Sequence, residues 1–315
     1  MNPEHSSLPT GRIAVLIPCF NEQQTVADVV RGFRAALPDA EIHVFDNASS
    51  DQTAKIAAEA GARVTFSPVP GKGNVVRHMF EVVDADWYVM VDGDATYPPE
   101  AAPILLAAAR ERRVDMMVGR RMTPAEELHS AYRPLHQFGN HLVSGLIRKT
   151  FGSPIRDVFS GYRVFSRAFV KTVPLHATGF QIEVEMTLQA LSKGYPVDEI
   201  DVPYSARPEG SVSKLNTYRD GLLVLTAFVA ISKDYRPALF FGGLAAILGL
   251  CSIGAGLAPI LDYICYQWVY HVPLAVLATG LAVMAALSLC IGVILQTQLV
   301  YHNEMHRLVR QGLHR

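Results

Sequence analysis

Two regimes of hydrophobic patterning divide the chain. From Met1 to about Pro237 charged and apolar residues interleave as in a soluble domain, whereas Ala238–Val300 is almost free of charge. In the first regime short apolar runs alternate with stretches of helical period. Ile13–Pro18, an apolar run closed by proline, predicts a buried strand, and Thr25–Ala36 predicts a helix. Glu41–Asp46 predicts a second strand. Ser49 or Ser50 is expected to cap a helix over Asp51–Ala60 that stops at Gly61. Arg63–Phe66, Trp87–Val91 and Val114–Gly119 predict three further strands. Helices are expected over Gly73–Val83 and from Pro98-Pro99-Glu100 to about Arg112, since proline suits a first helical turn. Strands and helices in strict alternation predict an α/β fold with a mainly parallel, Rossmann-like sheet, placed in residues 1–215.

The second regime predicts two membrane-spanning helices. Ala238–Ile260 is a run of 23 uncharged residues and Val272–Val300 a run of 29. About 20 apolar residues span a bilayer as a helix. The connector, residues 261–271, has no Lys or Arg, whereas Lys233 and Arg236 precede the first run and Arg307, Arg310 and Arg315 lie in a basic tail, residues 301–315. The positive-inside rule then expects both termini on the cytosolic face of the plasma membrane and the connector outside. Asn216–Ser232 is strongly apolar but short. With the linker to Pro237 it is expected to form a helix lying in the membrane interface, with packing on the soluble domain the close alternative. The lipid bilayer is thus an expected partner, and the two spans offer a surface for homo-oligomers.

Composition narrows the classes. A formal net charge of −1 gives no field for nucleic acid. The four cysteines, Cys19, Cys251, Cys265 and Cys290, contain no CxxC pair, which argues against a zinc site or a disulfide framework. Met1–Thr10 is polar and lacks the apolar run of a signal peptide, so the large domain is expected in the cytosol.

The polar residues that follow the predicted strands are where chemistry is expected, because ligands of such sheets bind beyond the carboxyl ends of the strands. Asn21 and Glu22 follow the first strand, and Asp46, Asn47 and Ser49 the second. Lys72 follows the third, Asp92 and Asp94 the fourth, and Arg120 and Arg121 the fifth. Asp92-Gly93-Asp94 places two carboxylates just past a strand, suited to one Mg²⁺ or Mn²⁺ shared with substrate phosphates; an acidic turn is the plainer alternative. Gly71-Lys72-Gly73 at a helix start forms a natural anion seat or, equally, a plain turn. Ser205–Leu215 (SARPEGSVSKL) is basic and rich in Gly and Ser, a candidate flap over phosphates. His43 and His78 fall inside a strand and a helix and are expected to be structural.

These motifs resemble the family 2 glycosyltransferases, and among them the dolichol-phosphate-mannose synthases and bacterial polyprenyl-phosphate glycosyltransferases. The resemblance is carried by IPCFNE (Ile17–Glu22), VFDNASSDQT (Val44–Thr53), GKGNVVR (Gly71–Arg77) and DGDATYPPE (Asp92–Glu100). It continues through VGRR (Val118–Arg121), DVFSGYRVF (Asp157–Phe165), GFQIEVE (Gly179–Glu185) and RPEGSVSKL (Arg207–Leu215). It implies a glycosyltransferase-A fold, inverting transfer, and a nucleotide-sugar donor linked to UDP or GDP. The acceptor it implies is a polyprenyl (undecaprenyl or dolichyl) phosphate. By the same resemblance Pro18, Glu22 and Asp46 hold the nucleoside, with Lys72 and Gly93 also on the donor side. Asp92 and Asp94 hold the metal and diphosphate. Arg121 and Arg133 lie near the donor and acceptor phosphates, and Arg207 and Lys214 clamp them. Asn47 stands where the family usually has a second acid, and Thr96 where the synthases often have Gln.

A lipid phosphate is itself a sufficient nucleophile, since a phosphomonoester with a second pKa of about 6 is largely dianionic at neutral pH. A site rich in Arg and Lys with no evident general base fits that acceptor. A processive polysaccharide synthase would carry QxxRW, and neither Trp87 nor Trp268 completes it. A non-catalytic membrane scaffold would not be expected to keep the DGD, GKG and basic-flap motifs together.

Overall fold

The computed structural model describes residues 11–122, 144–145, 147–179, 181–205 and 233–313. Arg133, Arg207 and Lys214, most of the expected flap and the expected interfacial helix lie outside the described residues. The chain folds into two compact units, one holding the sheet and one holding the two long apolar helices.

The sheet unit opens with β1 (Ile13–Cys19), α1 (Val26–Ala36), β2 (Glu41–Asp46), α2 (Thr53–Glu59), β3 (Arg63–Phe66) and α3 (Lys72–Val82). It continues with β4 (Trp87–Met90), α4 (Ala101–Glu111), β5 (Met116–Met122), β6 (Arg163–Ser166), α5 (Arg167–Thr172), α6 (Ile182–Ser192) and β7 (Val197–Pro203). The strands form one seven-stranded sheet in the order β3-β2-β1-β4-β6-β5-β7. All run parallel except β6, which is antiparallel to both β4 and β5. The apolar strand residues Val15, Ile17, Val44 and Val89 pack with Val30 and Phe33 of α1 and Leu105 of α4 in the core, each essentially fully buried.

The first four strands lie within a residue of their expected bounds. The fifth differs. Residues 119–122 pair with Ile200–Pro203 of β7, so β5 runs through Arg120 and Arg121 to Met122 instead of stopping at Gly119. Helix starts also differ. Ser49 and Ser50 do not cap α2, because they join the β1 and β2 loops: Asn21 N donates to Ser49 Oγ at 2.9 Å and Ser50 N donates to Asn21 Oδ1 at 2.8 Å. Asp51 serves α2 instead, accepting from Thr53 N at 2.9 Å. Helix α4 begins at Ala101, after the prolines, and α3 begins one residue early at Lys72.

The second unit is a helical pair, α7 (Pro237–Tyr266, 30 residues) and α8 (Val272–Leu313, 42 residues). Both are long and apolar enough to cross a membrane, and only 6% of their most apolar windows is buried by protein. Burial that low sets them apart from core helices. Ser252 Oγ donates to Ala278 O at 2.7 Å and Ser288 Oγ to Phe241 O at 3.1 Å, joining the two helices. Both helices outrun their expected limits. The connector shrinks to Gln267–His271, and most of the expected tail is helical. Asp262 Oδ2 fastens this connector by accepting from the backbone N–H groups of Tyr270 and His271 at 3.0 and 3.1 Å.

Candidate active site

In a parallel sheet the carboxyl ends of the strands share one edge, and β6, running the other way, begins there. The loop Asp157–Tyr162 before β6 therefore reaches the same edge as the loops after β1, β2 and β4. Four acids converge on this edge. The Cys19 thiol at the end of β1 is pushed up by burial and then by the fields of Glu22, Asp46, Asp92 and Asp94. The acids of three strand ends thus lie within electrostatic reach of one buried atom.

Local hydrogen bonds explain how the loops hold their shapes. Thr25 Oγ1 donates to Gly93 O at 2.6 Å, tying the β1 loop to the DGD turn. Glu22 N donates to Thr53 Oγ1 at 2.8 Å, tying it to α2. Gly93 is required where it stands, because a Cβ there would lie 2.6 Å from Cys19 Sγ. Asp94 is buried, and its Oδ1 accepts from Thr96 Oγ1 at 2.6 Å and Thr96 N at 3.2 Å. The residue standing in place of the synthases' Gln thus orients the carboxylate.

Asn47, which replaces an expected acid, pins the loop after β3. Its Nδ2 donates to the carbonyls of Ser67 and Val69 at 3.1 and 2.8 Å, and its Oδ1 accepts from Gly71 N at 2.8 Å. Its neighbour Asp46 is buried with Oδ1 lacking a hydrogen-bond partner. An unpartnered buried acceptor is costly unless a donor from outside completes it.

The anion seat expected at Gly71-Lys72-Gly73 has a different use. Gly73 N donates to Thr178 O at 3.1 Å, so a backbone carbonyl occupies the start of α3. Cβ atoms at Gly71 and Gly73 would collide with Thr178 O and Ala177 O. These glycines admit a neighbouring backbone. Lys72 turns to carboxylates, with Nζ 2.5 Å from Asp92 Oδ1 and 2.5 Å from Glu183 Oε1. Burial works against its charge, but the two acids outweigh burial and raise its pKa.

The two arginines of β5 part company, as alternation along a strand requires. Arg120 pairs with Glu199 and Asp201 on the neighbouring strand β7. Arg121 grips Asp157 through Nε at 2.7 Å and Nη2 at 2.8 Å, with its guanidinium 5.5 Å over the Tyr204 ring. Fields from Arg121, Asp94 and Asp92 all act on Tyr204, so the basic and acidic groups share one neighbourhood. Arg163 is fully buried and donates to Val158 O at 2.7 Å, Ser160 O at 2.9 Å and Thr187 Oγ1 at 2.9 Å. Burial lowers its pKa to about 10. It thereby shapes the loop that carries Asp157 and Gly161. His43 Nε2 lies 3.2 Å from Glu41 Oε2 and His78 Nδ1 3.2 Å from Ser67 Oγ.

Sequence reasoning assigned no role to Asp157, Arg163 or Glu183. The available signal was a charged residue inside an apolar element, as in RVF and IEVEM. Among the described residues no group of three His, Cys, Asp or Glu side chains could hold a metal ion by itself. The Asp92 and Asp94 pair still fits Mg²⁺ or Mn²⁺, which bind through one or two carboxylates and take their remaining ligands from substrate phosphates and water.

A mostly parallel sheet with this acidic edge, in a chain that also carries two apolar helices, places the protein in the class of glycosyltransferase-A-like folds. Residues 14–173 match glycosyl transferase family 2. The chain belongs to that family. It is 30% identical to glycosyltransferase AglJ of Haloferax volcanii over 96% of this chain and 99% of that protein. It is 26% identical to the polyprenol monophosphomannose synthase of Mycolicibacterium smegmatis, over 66% of this chain and 82% of that one. Its fold is similar to that of glucosyl-3-phosphoglycerate synthase of Mycobacterium tuberculosis in complex with Mn²⁺ and UDP-glucose. That likeness has a TM-score of 0.57 and 18% identity, covering 71% of this chain and 78% of the other.

Proposed function

We propose that this family 2 glycosyltransferase moves a sugar, with inversion, from a UDP- or GDP-sugar to a polyprenyl phosphate held in the membrane. The product is a polyprenyl-phosphate sugar for envelope glycan or glycoconjugate assembly. The observation that carries the reading is the pairing of an acid-and-arginine edge on the sheet with two lipid-compatible helices in one chain. The similarity to a polyprenol monophosphomannose synthase supports the acceptor.

In this reading Asp46 Oδ1, buried without a partner, takes an N–H of the nucleobase. Pro18 and Glu22 border the nucleoside. Asp92 and Asp94 would hold Mg²⁺ or Mn²⁺, which when bound offsets the charge of the departing nucleoside diphosphate. Arg121, fixed in orientation by Asp157, sits near the phosphates and favours the approach of a second anion. Arg133, Arg207 and Lys214 are proposed to complete the cationic surround. The acceptor phosphate attacks the anomeric carbon as an oxyanion, so proton removal is not needed.

The test is product analysis. Purified protein, polyprenyl phosphate and Mg²⁺ or Mn²⁺ are incubated with a panel of nucleotide-sugars, and the lipid fraction is examined for a mild-acid-labile phosphosugar. Asp94→Ala should lower its formation by at least ~10²-fold, the scale for losing one preorganised electrostatic partner. Label appearing only in a lipid without a sugar-phosphate bond would refute the acceptor.

A further inference from the structure

Lys72 and Glu183 form a buried pair beside the DGD turn that the proposed reaction leaves without a role. The Lys72 side chain is 12% exposed and that of Glu183 4%. Glu183 lies in the first turn of α6, flanked by buried Ile182 and Val184. Its Oε1 meets Lys72, and its Oε2 is buried with no hydrogen-bond partner. The buried guanidinium of Arg163 lies within its field while donating its own hydrogen bonds to the carbonyls of Val158 and Ser160 and to Thr187. Glu183 therefore has an acceptor oxygen in reserve, a few ångströms from an ammonium that also holds Asp92.

We propose that Lys72 is an internal counter-cation that closes Asp92 in the donor-free enzyme, and that Glu183 is the positioning residue that receives it when the metal loads. The inference rests on the reading of Asp92 and Asp94 as metal ligands. A divalent cation on Asp92 would face the Lys72 ammonium across one carboxylate, and two cations so close repel strongly in a shielded site. Lys72 must leave Asp92, and the unused oxygen of Glu183 gives it a second hydrogen bond to leave to. A free cation in the absence of nucleotide has to displace Lys72 unaided. With the diphosphate present, the added negative charge offsets that displacement. Metal and donor therefore bind cooperatively, and the donor-free site resists cations.

The test is Mn²⁺ binding, followed by the electron paramagnetic resonance signal of free Mn²⁺. It uses the purified full chain in lipid nanodiscs, with and without UDP or GDP. Lys72→Met should tighten nucleotide-free Mn²⁺ binding by about ten-fold, within the usual range of coupling between sites. Glu183→Gln should weaken it, because Lys72 then depends more on Asp92. In the Lys72→Met background Glu183→Gln should have little effect. A general loosening of the fold would weaken binding in both single variants, and that result would overturn the proposal, as would unchanged affinity in Lys72→Met. Loss of binding in Asp94→Ala with no effect of Lys72→Met would refute the counter-cation alone. Equal Mn²⁺ behaviour in wild type and Asp94→Ala would refute the metal assignment together with it.

Discussion

Asp157 is 5% exposed and charged, and Arg121 is what allows it. Burial alone would raise its pKa, but the field of the Arg121 guanidinium and then its hydrogen bonds hold the carboxyl below its usual range. A carboxylate depressed in the folded state contributes stability above its unfolded pKa of about 3.9, and loses it as pH falls through the folded value. Asp157→Asn should therefore be destabilised at pH 7, by about 3 kcal/mol, the lower scale for breaking a buried pair. The difference from wild type should shrink as pH drops below about 4. Denaturant unfolding of the sheet unit, followed by fluorescence across pH 7 to 3, checks this. A difference that stays constant over that range would show that the charge of Asp157 is not what matters. At Asn47 the same scale gives a second expectation. Asn47→Asp would turn a carboxylate oxygen toward the carbonyls of Ser67 and Val69, removing two donated hydrogen bonds. The loop over residues 67–71 should then exchange its amide hydrogens faster, while β2 keeps its protection.

Between elements, the reversed strand sets the geometry of the edge. A Cβ on Gly161, in the loop before β6, would collide with Asp92 Oδ2. Gly161→Ala should push Asp92 off its position and lower transfer by about 10²-fold, comparable to losing an electrostatic partner, while the melting temperature moves little. Full activity of that variant would mean that the placement of Asp92 is not critical. The alternating strands and helices up to α4 were legible from the sequence because each strand is a short apolar run bounded by polar turns. The reversed strand was not. Arg163–Ser166 is four residues long and begins with an arginine that reads as surface, although in the fold it is fully buried. The end of β5 was misjudged for a related reason. Its last residues stay in the sheet only because β7, far along the chain, pairs with them. The acids of the site were legible from position alone. The Arg121–Asp157 and Lys72–Glu183 pairs, which join separate loops and helices, were not.

Across the whole molecule, length argues for the membrane reading. At 1.5 Å per residue the 42 residues of α8 make a helix of about 63 Å, twice a hydrocarbon core of about 30 Å. A helix that spans the bilayer must therefore continue well beyond it, carrying Glu304 and Arg307 clear of the lipid. In a variant without Cys19, Cys251, Cys265 and Cys290, a cysteine at Gln267 should react with an impermeant reagent from outside the cell, and one at Gln311 should not. The reverse pattern would put the sheet on the side away from cytosolic nucleotide-sugars.

The placement of β6 beside β5 also bears on how such proteins diverge. The chain leaves the sheet at Met122 and re-enters it at Arg163 on the adjacent strand, and both points lie at the edge where the acids gather. An excursion between neighbouring strands at one edge can lengthen or shorten without altering the order of any strand, and its closure entropy grows only slowly with length. The stretch of sequence between β5 and β6 is thus a splice point. A lineage can rewrite that stretch of sequence while Asp46, Asp92 and Asp94, which end or follow strands outside it, keep their places at the sheet edge.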